Sequence, residues 1–147
     1  MHLDQLTNRG QVVLGSGTKD IEYLDNQPRG IIDLGTETIV GKLSNGGYLR
    51  SDATKGFNIN GDFAEGLGTV IASSETIWQM SADSDGGKQL SRSVFLAPHL
   101  IINHDRFTNN HKLIFNAPVT INSKIFTNYG EISSQDLNIN AESIITA

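Results

Sequence analysis

The chain has 147 residues, of which 37% are hydrophobic and 18% charged, with a net charge of −5 and no Cys. This suits one domain with a modest core and excludes a disulfide framework or a thiolate metal site. The acidic balance gives no electrostatic reason to expect nucleic acid or an anionic membrane as partner. No stretch approaches roughly eighteen consecutive apolar residues, so no membrane-spanning helix is expected.

The first ten residues, MHLDQLTNRG, lack the basic and apolar regions of a secretory signal. They do contain the first copy of a short signature: an apolar residue, a small polar residue, then Asn. It reads Leu6-Thr7-Asn8, Leu24-Asp25-Asn26, Leu43-Ser44-Asn45, Phe107-Thr108-Asn109 and Phe126-Thr127-Asn128. The Asn-to-Asn steps are 18, 19, 64 and 19 residues. The long step holds about three periods, so two degenerate copies belong between, near Ala64-Glu65-Gly66 and around Asp85.

Glycine follows in phase, at Gly10, Gly30, Gly47, Gly68, Gly87 and Gly130, with His111 replacing it once. A third marker is an apolar strand ending in Asn. It occurs as Phe57-Asn58-Ile59-Asn60, Leu100-Ile101-Ile102-Asn103, Val119-Thr120-Ile121-Asn122 and Leu137-Asn138-Ile139-Asn140. Each unit thus reads as an Asn/Gly turn, a short strand, a polar turn and a second short strand. No unit holds a stretch of helical periodicity, which disfavours alternating strands and helices.

A unit of about 20 residues cannot bury its own apolar face, but it can stack on a neighbour. The expected architecture is an all-β, right-handed parallel β-helix of about seven coils, a single segment over 1–147. Val12, Ile32, Leu49, Val70, Leu113 and Ile132 are expected to form one internal column. Ile39, Ile59, Ile77, Ile121 and Ile139 are expected to form another. The Asn residues are expected to take the left-handed conformation at sharp corners and to hydrogen-bond along the stack. Gly10, Gly30, Gly47, Gly68 and Gly130 are expected to permit positive φ in the same turn ladder as Asn8, Asn26, Asn45, Asn109 and Asn128.

Phe126-Thr127-Asn128-Tyr129-Gly130-Glu131-Ile132, followed by Leu137-Asn138-Ile139-Asn140-Ala141, resembles the repeats of filamentous haemagglutinin-type adhesins. The resemblance runs through most of the chain, most clearly over 1–60 and 105–147, and fits worst at 78–100. It implies a segment of a large Gram-negative exoprotein exported by two-partner secretion, an adhesin or the stalk of a contact-dependent growth-inhibition effector. It therefore implies a secreted or surface-displayed rod and an outer-membrane secretion partner for the parent protein. The Asn-Pro-Asn-Gly type motif of that family's secretion domain is missing, so an internal slice of a longer shaft is expected. The uncapped ends of such a slice would favour end-to-end self-association.

Two rival readings concern chemistry. A receptor- or glycan-binding module would use the irregularity at 78–100. Its candidate loop, 81–93, carries Asp83, Asp85, Lys88 and Arg92, and the tetrapeptide Asn103-His104-Asp105-Arg106 follows, read as a polar surface turn. Ser81-Ala82-Asp83-Ser84-Asp85-Gly86-Gly87 has only part of a calcium-loop pattern, with Lys88 where further ligands belong. A polysaccharide-degrading β-helix enzyme would need clustered acids. Asp33 and Asp52, one coil apart, are the pair to examine. Otherwise Asp20, Glu22, Glu37, Asp62, Glu65 and Glu75 are scattered. His99, His104 and His111 lack a metal-ligand spacing, and Gly15-Ser16-Gly17 fails the dinucleotide fingerprint. No catalytic, cofactor or metal residue is assigned, and Trp78 is expected in the core or at a coil edge.

Overall fold

The computed structural model describes residues 1–61, 68–80, 86–90 and 94–146. The elements are β1 (His2–Asn8), β2 (Gln11–Val13), β3 (Lys19–Asn26), β4 (Ile31–Asp33), β5 (Thr38–Asn45), β6 (Tyr48–Ser51), β7 (Phe57–Ile59), β8 (Thr69–Ala72), β9 (Thr76–Gln79), α1 (Gly86–Leu90), β10 (Val94–Leu96), β11 (Leu100–Asn103), β12 (Arg106–Asn109), β13 (Lys112–Ile114), β14 (Val119–Asn128), β15 (Glu131–Ser133) and β16 (Leu137–Thr146). Every strand pair is parallel. The chain is a β-solenoid of about seven turns, with equivalent positions about 19 residues apart.

Parallel neighbours need a long crossover. Here the rest of each coil is the crossover, which is why the repeat is as long as it is. One wall is a single sheet in the order β1-β3-β5-β7-β9-β11-β14, with β12 and β16 both pairing with β14. The opposing wall is β2-β4-β6-β8-β10, followed by a separate pair, β13 and β15. The irregular coil is the fifth. Thr76 pairs with Leu100, a step of 24, where Phe57 pairs with Thr76 at 19. The extra residues include α1, which packs on β12 with Leu90 in the core. Within the stretch read as a protruding loop, residues 86–90 are therefore a helix laid against the wall.

The core is a set of columns. Val12, Ile32, Leu49 and Val70 stack in register, and Phe95 continues them. Leu113 pairs with Ile132 in the separate sheet. The second expected column holds for three of its five members. Ile59, Ile121 and Ile139 lie in one stack that runs Val40, Ile59, Trp78, Ile102, Ile121 and Ile139, the first five of them fully buried. Ile39 and Ile77 sit one residue away, on the outward face, and Ile39 is 42% exposed. A one-residue shift in a strand reverses the face. Strands this short give too few alternations to choose between adjacent isoleucines. Trp78 lies fully inside, edge-on to Phe95, with its Nε1 donating to Gly61 O at 2.7 Å.

One structural cation was not foreseen. Lys19 is only 4% exposed, and its Nζ donates to Gly15 O, Gly17 O and Thr36 O at 2.6–2.7 Å. The left-handed Gly17, φ 105°, turns its carbonyl into this cradle. Lys19→Met keeps the aliphatic stem and removes all three charge-assisted bonds. It is expected to lower the urea-unfolding free energy by about 2–3 kcal/mol.

Candidate functional site

The corner residues form two internal runs of a ladder. Asn8 Nδ2 donates to Asn26 Oδ1 at 3.1 Å, and Asn26 Nδ2 to Asn45 Oδ1 at 2.9 Å. Asn109 Nδ2 donates to Asn128 Oδ1 at 3.0 Å. Each run also serves the turns. Asn26 Nδ2 meets Gly30 O and Tyr48 O, and Asn109 Nδ2 meets His111 O and Glu131 O. Asn26, Asn45 and Asn109 are 0–1% exposed, so their amides replace water for carbonyls that the turn leaves unpaired.

The expected conformational reason for this ladder is wrong. Among the described residues, positive φ occurs at Gly17, Gly35, Gly56, Arg29 and Glu37, and at none of the ladder Asn or Gly residues. The glycines serve proximity instead. A Cβ on Gly30 would lie 2.2 Å from Asn26 Oδ1, on Gly47 2.2 Å from Gly30 O, on Gly68 2.5 Å from Gly47 O, and on Gly130 2.2 Å from His111 O. Gly10, in the first coil, would meet nothing within 4 Å. His111 is tolerated for a related reason. Below Asn109 stands α1 with Gly87 against it, not a regular Asn-x-Gly corner.

A second amide ladder runs on the outer face. Asn103 Nδ2 donates to Gln79 Oε1, Asn122 Nδ2 to Asn103 Oδ1, and Asn140 Nδ2 to Asn122 Oδ1. These are the strand-terminal Asn residues of the third sequence marker.

The candidate binding residues do not converge. Asp83, Asp85 and Arg92 lie outside the described residues, as do the copies proposed near Ala64 and Asp85. Lys88 is exposed on α1. His104 is 2% exposed and packs edge-on to Phe107, while Asp105 and Arg106 face solvent. The tetrapeptide is therefore not a surface triad. It crosses the wall at a bend between β11 and β12, and the apolar flank draws the imidazole inward. His99 bonds Thr120 Oγ1 at 2.7 Å, and β11 and β12 separate His99, His104 and His111 around the coil.

Asp33 pairs in register with Arg50, not with Asp52. Asp52 accepts from Arg50 at 3.2 Å and from Ser73 Oγ at 2.6 Å. The Ser73 hydroxyl first, then Arg50, holds the Asp52 carboxyl below its ordinary range. Glu37 is lowered in the same direction by the Thr54 hydroxyl and amide one coil on. Both groups bind protons less readily folded than unfolded. Their stabilisation is thus complete above the usual carboxylate range and is lost as pH falls through their folded pKa. Asp52→Asn is expected to flatten the acid limb of a urea-midpoint-versus-pH curve by lowering the neutral-pH midpoint slightly, with variant and wild type converging in acid.

Sequence reasoning missed one cluster because its members come from two coils. His2 Nδ1 bonds Asp20 and Nε2 bonds Asp4, each at 2.9 Å, with Glu22 at 3.7 Å. Asp4, then Asp20, raises the imidazole above its usual range. Ligand atoms of His2, Asp4 and Glu22 lie within 4.8 Å of one another, the one such group of three among the described residues. All are exposed, and both imidazole nitrogens already pair with carboxylates, so the arrangement is a surface ion-pair cluster.

Comparison of the chain with family models, with curated proteins and with solved structures gives no match.

Proposed function

We propose that this chain is a structural and adhesive rod segment of a secreted or surface-displayed Gram-negative exoprotein. It would hold a receptor-binding or toxin region away from the cell. The observation that carries this reading is continuity: one parallel wall runs from β1 to β16, and amide ladders tie successive corners inside and outside it. Bending such a stack would break backbone and side-chain hydrogen bonds together. At about 4.8 Å per strand, its seven steps make a stiff spacer roughly 35 Å tall. Export through an outer-membrane partner follows from the same reading, and self-association end to end remains part of it.

The fifth coil favours a second reading, a receptor- or glycan-binding module. Its longer step and α1 break an otherwise repetitive wall, and such departures are where solenoids carry recognition. The test is binding of the purified chain to host cells, sibling bacterial cells and a glycan array, beside a variant lacking 81–93. A spacer predicts no specific binding by either protein. Specific binding by the full chain, lost in a deletion variant that retains its β-sheet circular dichroism, would replace the spacer reading with the recognition module.

A further inference from the structure

The chain contains two Asn-Gly pairs, Asn45-Gly46 and Asn60-Gly61. Such a pair carries its own chemistry. The backbone nitrogen of the glycine can attack the asparagine side-chain carbonyl, because no Cβ hinders the approach and the glycine backbone adapts. The attack closes a five-membered succinimide and expels ammonia. Water then opens the ring at either carbonyl, leaving an aspartyl or an isoaspartyl residue. The attack needs a side chain that can swing over the following nitrogen and a nitrogen not held elsewhere.

The fold treats the two pairs oppositely. Asn45 is fully buried, accepts from Asn26 Nδ2 and Gly47 N, and donates to Thr69 O. Its partner nitrogen, Gly46 N, donates to Asn26 O at 2.8 Å. Both reacting atoms are held. Asn60 follows the end of β7 and is exposed. Its own backbone N donates to Val40 O at 2.7 Å, which fixes the main chain and leaves the side chain outside. Neither that side chain nor Gly61 N makes a hydrogen bond among the described residues.

We propose that Asn60-Gly61 is a site of spontaneous deamidation in the folded protein, and that the internal ladder protects Asn45-Gly46. The product changes the stack. An isoaspartyl linkage adds a carbon to the main chain immediately before Gly61, whose carbonyl accepts from Trp78 Nε1. There is little slack, since a Cβ on Gly61 would already lie 2.9 Å from the Gly41 carbonyl carbon. Modification is thereby coupled to the environment of Trp78, the one Trp in the chain.

The experiment incubates the full chain in warm, mildly alkaline buffer, beside Asn60→Ser and a sample unfolded in urea. Peptide mapping by mass spectrometry reads the replacement of amide by acid, and Trp emission is followed in parallel. In the native chain, conversion is expected in the peptide holding Asn60, with none at Asn45. In urea both sites convert. The emission shift should follow the Asn60 time course and be lost in Asn60→Ser. Native conversion at both sites alike, or at neither while the urea sample converts, would overturn the assignment. Conversion of Asn60 with unchanged emission would overturn the coupling to Trp78.

Discussion

Replacing Asn26 by Asp is expected to be the most damaging single exchange of one heavy atom in this chain. The Asn26 amide nitrogen points at three oxygens: Gly30 O at 3.0 Å, Asn45 Oδ1 at 2.9 Å and Tyr48 O at 3.1 Å. A carboxylate has the same shape and donates nothing, so acceptors would face acceptors at a site 1% exposed. The loss should be about 4 kcal/mol in urea unfolding. Asn26→Ala, which removes the partner without adding a charge, should cost about 3 kcal/mol. The order of the two variants is the diagnostic. If Asp is tolerated better than Ala, the ladder is acting as filler volume and not as a donor.

The second large effect separates two glycines that look alike in sequence. Gly47→Ala would place a methyl 2.2 Å from Gly30 O and 2.9 Å from Gln27 O, both backbone atoms of the preceding coil. Neither can yield without opening the stack, and a loss of about 3 kcal/mol is expected. Gly10→Ala meets nothing within 4 Å and should fall within about 0.5 kcal/mol of wild type. Thermal melts of the pair would decide the matter. Equal losses at both positions would indicate a conformational requirement, which the φ values of these corners do not support.

Much of the architecture is legible in the sequence because the repeat is a spacing, and spacing survives without coordinates. Asn8, Asn26 and Asn45 fall one coil apart, and Val12, Ile32, Leu49 and Val70 fall into one column. Legibility ends where a choice of face or depth depends on a neighbouring coil. Ile39 and Val40 are equally apolar, yet register with Ile59 puts Val40 inside and Ile39 outside. His104 reads as polar beside Asp105 and Arg106, but the bend between β11 and β12 buries it against Phe107. Lys19 and the His2 cluster read as ordinary surface charges in sequence, because the groups that complete them, Thr36 O for Lys19 and Asp20 and Glu22 for His2, lie one coil away.

Repeat length, all-β character and the stacking of coils follow from the residue pattern alone, because periodic apolar residues with Asn/Gly corners leave little else that buries a core. Why the corner glycines are glycine, which Asn residues lie inside and which of two Asn-Gly pairs is shielded depend on contacts between coils. Those properties are set by atoms of the preceding and following coils, 18 to 24 residues away in the hydrogen bonds that define the corners.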